Sequence, residues 1–95
     1  MSAYLIVEVD VHDPERYDGY KRLVPPSLEP YGGKFVVRGG EVQPLEGGWD
    51  PKRLVVIEFP SMERARAWYD SKEYAEAKAL RHSTSRARIV VVTGV

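Results

Sequence analysis

Ala3-Tyr4-Leu5-Ile6-Val7-Glu8-Val9-Asp10-Val11-His12-Asp13-Pro14 is the stretch on which the architecture turns. Leu5, Val7, Val9 and Val11 alternate with Tyr4, Ile6, Glu8 and Asp10, a period of two that predicts a strand over residues 3–11. The odd face is leucine and valine throughout; the even face begins apolar and ends acidic. Asp13-Pro14 then opens a helix. The Asp carboxylate accepts from free N–H groups of the first turn, and proline fits the first helical position because its missing donor would have no partner there. The chain thus begins with a strand followed at once by a capped helix.

Working outward, Tyr17, Tyr20, Val24, Leu28 and Tyr31 recur at steps of three and four, one face of that helix. Pro25-Pro26 predicts a break or kink, with a short second piece to about Tyr31, and Gly32-Gly33 ends it. Residues 34–38 read as a short second strand. Residues 39–52, with two glycine pairs and Pro51, read as a loop, with room for a hairpin extension around 41–45. Residues 53–59 alternate again as a third strand. Ser61 caps a helix whose apolar face is Met62, Ala65, Trp68 and Tyr69. Ser71 sits where a second cap would, and Tyr74 to Leu80 continues as helix, so one bent helix and two abutting helices both fit. Residues 81–85 read as a polar connection and 87–93 as the last strand. The order βαββαβ predicts an α+β, ferredoxin-like fold: a four-stranded antiparallel sheet with the helices on one face, the first and third strands central and the others at the edges.

Length and charge bound the rest. Ninety-five residues make one domain, residues 1–95. Fourteen basic residues balance fourteen acidic ones, which argues against a general nucleic-acid partner. The absence of cysteine excludes disulfides, thiolate metal sites and cysteine nucleophiles. No apolar run approaches a membrane span and no secretory pattern is visible at the N-terminus, so no membrane partner is expected and the cytoplasm is the expected compartment. No motif calls for a cofactor.

The two faces of the predicted sheet are both apolar. Leu5, Val7, Val9, Phe35, Val37, Val55, Ile57, Phe59, Ile89 and Val91 are assigned to the helix side. Tyr4, Ile6, Val36, Leu54, Val56, Val90 and Val92 fall on the other. A sheet with one solvated face alternates apolar with polar. Seven apolar side chains on an open face exceed the patches of ~300–600 Å² found on typical monomers. A second copy packed sheet to sheet is the simplest cover, which predicts a homodimer, a dimeric α/β barrel.

Asp13-Pro14-Glu15 with Tyr17, Tyr31-Gly32-Gly33, Arg38-Gly39-Gly40, Leu45-Glu46-Gly47 with Trp49, residues 55–61 reading Val-Val-Ile-Glu-Phe-Pro-Ser, and Ala67-Trp68-Tyr69 with Ser71 and Glu73-Tyr74 together resemble the domain-of-unknown-function 1330 family (DUF1330) nearly end to end. The resemblance implies the dimeric α/β-barrel superfamily, hence the same fold and dimer, and implies no activity. Superfamily relatives include small monooxygenases, lactone isomerases and haem-binding enzymes, an analogy of fold only. The chain departs from the family pattern at His12, where Thr is expected, and at the doubled Pro25-Pro26.

Candidate chemistry follows from placement. Glu8 and Glu58 fall late on the two central strands; with these strands taken as parallel, the carboxylates are neighbours on the open face, where one would have a raised pKa unless a cation pairs with it. Arg88 lands near Glu8 and Asp10. These residues suggest either an ion-pair network or a general acid/base pair, with Glu58 and Glu8 as the catalytic candidates. Arg38-Gly39-Gly40 with Trp49 suggests a place where an anion is gripped by Arg38 and by approachable backbone N–H groups. The ligand-binding candidates are therefore Arg38, Trp49 and Arg88. His12, His82 and Asp10 lie at one end of the sheet without any metal-ligand spacing, so no metal is expected. Trp68, Tyr69 and Tyr74 read as packing. Two functions follow: a small-molecule-binding protein or cofactor-independent enzyme acting on a small organic ligand, and a non-catalytic dimeric sensing or scaffolding module.

Overall fold

The computed structural model describes residues 1–95. The elements are β1 (Ala3–Val11), α1 (Pro14–Leu28) with a 3₁₀ turn (Glu29–Tyr31), β2 (Lys34–Arg38), β3 (Leu54–Phe59), α2 (Met62–Tyr69), α3 (Lys72–Thr84) and β4 (Ser85–Thr93). The strands form one antiparallel sheet in the order β2-β3-β1-β4, and the helices cover one face of it, as expected for a ferredoxin-like domain. The caps are those read from the sequence. The Asp13 carboxylate accepts from Arg16 N at 3.3 Å, Ser61 Oγ from Arg64 N at 3.2 Å, and Ser71 Oγ from Tyr74 N at 3.1 Å. The Ser71 cap resolves the second helical segment into two helices, α2 and α3.

Leu5, Val7 and Val9 of β1 and Val55, Ile57 and Phe59 of β3 meet Tyr17, Val24 and Leu28 of α1, Ala65 and Trp68 of α2, and Tyr74 and Ala77 of α3. Trp68 is the hub. Its ring lies 3.9 Å from that of Tyr74 and 5.6 Å from that of Phe59, centroid to centroid. Its indole N–H donates to Ser27 Oγ at 2.9 Å, and that hydroxyl donates to Val24 O at 2.6 Å, so both buried polar groups are satisfied.

Four expectations need correction. First, α1 runs unbroken through Pro25-Pro26. The proline φ suits a helix; the cost is the missing donors, which deprive the Lys21 and Arg22 carbonyls of their i+4 partners. The Arg38 guanidinium replaces one of them, donating to Lys21 O at 2.6 Å. Second, no polar connection separates α3 from β4. Thr84 Oγ1 and Ser85 Oγ donate back to Leu80 O and Arg81 O at 2.8 and 2.7 Å, occupying terminal carbonyls, and the strand starts immediately. Third, residues 41–45 form no hairpin extension: pairing ends at Arg38 opposite Val55, and Gly39 N donates to Leu54 O at 2.9 Å. Fourth, the β2–β3 register shifts between Phe35 and Val37, so Val37 stands opposite Val56 rather than on the helix side. A bulge of this kind offsets the alternation by one residue. It adds Val37 to the open face and turns Arg38 toward the helices.

The open face is as apolar as the sequence indicates. Val36, Val90 and Val92 are 53%, 61% and 49% exposed. No helix is long and apolar enough to cross a membrane.

Candidate functional site

The candidate residues separate into three places. At one end of the open sheet face, Glu8 of β1 lies across from Arg88 of β4. Arg88 Nε donates to Glu8 Oε1 at 2.7 Å, with Nη2 on the same oxygen. Trp49, carried by the long β2–β3 loop, donates its indole N–H to Oε2 at 2.9 Å. Both carboxylate oxygens are therefore taken. The Trp49 hydrogen bond, followed by that of Arg88, holds the Glu8 carboxyl below the usual carboxylate range.

Glu58 lies elsewhere. β1 and β3 run antiparallel, with Tyr4 opposite Glu58 and Glu8 opposite Leu54, so the two carboxylates stand four residues apart along β3, about 13 Å. The expectation that they are neighbours is overturned. The α1 crossover leaves β2 parallel to β1, and the β2–β3 hairpin then reverses the chain. Glu58 has its own partners: the Tyr4 hydroxyl donates to it at 3.3 Å and Lys34 Nζ lies 3.5 Å away. The hydroxyl of Ser2 foremost, then the Lys34 charge and Tyr4, hold its carboxyl low as well. Both acids accept hydrogen bonds and have a cation beside them, and neither carboxyl is raised by the other.

Arg38 lies on the opposite side of the sheet. Its guanidinium stacks 4.2 Å from the Phe35 ring centroid and reaches Lys21 O. The Gly39 N–H is used by Leu54 O, so it does not line an anion cradle. What Gly39 provides is space: it has φ 72°, and a Cβ there would lie 2.0 Å from Arg53 Nη1. Arg38 and Arg53 both border a cleft between the helices and the sheet, lined otherwise by aromatic and aliphatic side chains including Tyr17, Tyr20, Val24, Phe35, Trp68 and Tyr74. Lys21 is there also, and no carboxylate is. The internal volume is about 20 Å³, room for one water. Outside it opens a recess of about 580 Å³ bordered by Lys21, Arg22, Arg38, Arg53, Pro25 and Asp18. Asp18 is its one acid and is paired with Lys21 at 3.2 Å.

The residues that sequence reasoning missed are Tyr17, Tyr20, Arg53, Tyr74 and Arg81. Along the chain the tyrosines read as packing, and they do pack; the hydroxyls of Tyr20 and Tyr74, however, face one another across the helix layer. Tyr20 Oη and Tyr74 Oη are 2.9 Å apart. Arg81, assigned to a connection, is 3% exposed, donates from Nε to Tyr74 Oη at 3.3 Å, and makes no salt bridge. The available signal was spacing: Tyr74, Ala77 and Arg81 share one helical face. Burial, and next the neighbouring Tyr74 phenol, push the Tyr20 hydroxyl far above the ordinary tyrosine value. His12 and His82 are exposed, and no three His, Cys, Asp or Glu side chains converge.

Comparison with known proteins agrees with this architecture. No curated protein matches the chain. A crystal structure of a protein of unknown function from Rhodopseudomonas palustris superposes with a TM-score of 0.79 at 20% identity, covering 99% of this chain and 82% of that one. The cofactor-independent oxygenase SnoaB from Streptomyces nogalater superposes with a TM-score of 0.71 at 12% identity, over 99% and 93% of the two chains. A dimeric ferredoxin-like protein of unknown function from Jannaschia gives 0.71 at 11% identity, over 99% and 100%. At such identities the likeness is one of fold. Residues 2–95 match the model of the family described as Domain of unknown function (DUF1330), and the chain belongs to that family.

Proposed function

We propose that this chain acts as a homodimer that binds a small planar organic anion in the cleft between its helices and its sheet, where a cofactor-independent reaction of that ligand takes place. One observation carries the reading: the cleft is aromatic and aliphatic inside, has Arg38, Arg53 and Lys21 at its mouth, and contains no carboxylate. Ligand sites are concave, mostly apolar and marked by a few convergent polar groups. Here every charged group is a cation, so the matching ligand is a flat apolar body with a carboxylate. Arg38 bridges β2 and α1 across the mouth. Because the interior as it stands has room for one water, binding requires Arg38 to leave Lys21 O and α1 to part from the sheet, with the ligand's carboxylate held in the recess of about 580 Å³ outside.

The dimer is supported by the apolar open face and by the dimeric fold neighbour from Jannaschia. Cofactor-independent chemistry is supported by the fold shared with SnoaB. In this reading Glu8, Trp49, Arg88 and Glu58 order the sheet face that the second copy covers, and Arg38 is the ligand-binding residue among the sequence candidates.

The test is an NMR titration with 4-methylbenzoate and, in parallel, 4-methylbenzylamine. The anion is expected to shift the amides of Val24, Val55 and Ile57 saturably, and the amine to leave them in place. Equal response to both, or none to the anion, overturns the reading.

A further inference from the structure

Donor accounting in the helix layer gives the cleft a direction. An arginine side chain can only donate, so Tyr74 Oη must accept from Arg81 Nε. The Tyr74 hydrogen then has one acceptor within reach, Tyr20 Oη at 2.9 Å. Were Tyr20 the donor of that bond, the hydroxyl hydrogen of Tyr74, which is 1% exposed, would be buried without an acceptor, which costs more than the bond returns. The chain therefore runs Arg81 to Tyr74 to Tyr20 and leaves the O–H of Tyr20, which is partly buried, with no acceptor in the protein. Tyr20 and Tyr74 both line the cleft. A second donor there is unmatched: the Nε–H of Arg53 is shut off from solvent and has no partner.

We infer that Tyr20 is the inner recognition residue of the cleft, donating its hydroxyl hydrogen to a carbonyl or enolate oxygen of the ligand, with Tyr74 and Arg81 as positioning residues that fix its orientation. This rests on the cleft being the ligand site, and it narrows the ligand class to a conjugated acid with a second oxygen acceptor at the end away from its carboxylate. The cations of the outer recess take the carboxylate and Tyr20 takes the inner oxygen. The buried Arg81 charge, which no carboxylate neutralises, polarises both phenols in sequence, and a bonded chain strengthens its terminal donor. The raised pKa of Tyr20 keeps it a neutral donor across the working range. An oxygen held this way is stabilised as it gains negative charge, the requirement for forming an enolate next to a carbonyl.

The experiment compares 4-formylbenzoate with 4-methylbenzoate, of nearly the same shape but without the acceptor. Wild-type protein is expected to bind the formyl compound roughly fivefold more tightly, the worth of one ordinary hydrogen bond. The infrared C=O stretch of the bound formyl group shifts to lower frequency than in water. Tyr20→Phe abolishes both the preference and the shift, so that the two benzoates bind it with equal affinity. Tyr74→Phe keeps the preference but reduces the frequency shift, which a purely structural role would not do. If both benzoates bind equally to the wild type, or Tyr20→Phe retains the shift, the inference is wrong and the cleft reading stands. If neither benzoate binds, the cleft reading itself fails.

Discussion

Glu8 and Glu58 show how one residue type at one strand face acquires a role from what lies beside it. Each carboxylate is held below its ordinary value of 4.5 by hydrogen bonds and a nearby cation. A depressed folded-state pKa contributes stability that is fully present above the unfolded value and is lost as the pH falls through the folded one. The urea midpoint is therefore expected to hold from pH 7 to about pH 5 and to fall below 4.5. Glu8→Gln and Glu58→Gln should each lower the midpoint at pH 7 and flatten its acid dependence; a wild-type midpoint that does not change down to pH 3 would contradict the pairing. Gly39 is a residue whose role is an absent atom. Gly39→Ala sets a Cβ against Arg53 at a positive φ, and a loss of roughly 1 kcal/mol or more is expected from chemical denaturation.

At the scale of elements, the helix interior around Pro25-Pro26 is tied to the edge strand. Proline removes a donor, Lys21 O becomes available, and Arg38 of β2 takes it. Pro25→Ala restores an N–H within the helix and is expected to raise Tm by several degrees. The same change makes Arg38 redundant as a partner. Arg38→Ala should therefore destabilise the wild type measurably and the Pro25→Ala background little, and thermal denaturation of the four proteins gives the coupling. Additive effects would show that the two elements are not linked through this carbonyl. Ser71 caps the start of α3 by accepting from Tyr74 N and donates to Trp68 O at the end of α2. Ser71→Ala should cost about 1 kcal/mol, the usual worth of a cap, and loosen the Trp68–Tyr74 contact, visible in near-ultraviolet circular dichroism.

At the scale of the molecule, a two-layer fold only 17 Å thick leaves one side of the sheet uncovered. Val36, Val37, Val90 and Val92 protrude from it. Burying apolar area at ~25 cal/mol per Å² favours a second copy there, against association costs of several kcal/mol. Sedimentation at micromolar concentration is expected to show twice the chain mass of 10.8 kDa, and Val90→Lys with Val92→Lys to return it to the chain mass without loss of helical signal. Only 10.8 kDa particles in the wild type would rule out the dimer.

The strand and helix order, the three caps and the doubly apolar sheet were legible in the residues because each is local: alternation, capping and turn chemistry act over a few positions. The span of β1, Ala3–Val11, was read without error. The Glu8–Arg88 pair was legible too, since antiparallel pairing of neighbouring strands fixes who faces whom. Continuity of α1 past two prolines and the bulge that moves Val37 and Arg38 to opposite faces were decided by the assembled sheet, where the donor that replaces a lost bond comes from another element. The wide separation of Glu8 from Glu58 already follows from an antiparallel sheet with these strands side by side, which a parallel pairing contradicts. The tyrosine–arginine chain belongs to the same category. Tyr20, Tyr74 and Arg81 look like packing and connection along the chain, and only when α1 and α3 are laid side by side do their hydrogen-bonding groups meet, because contact in space joins residues 54 positions apart.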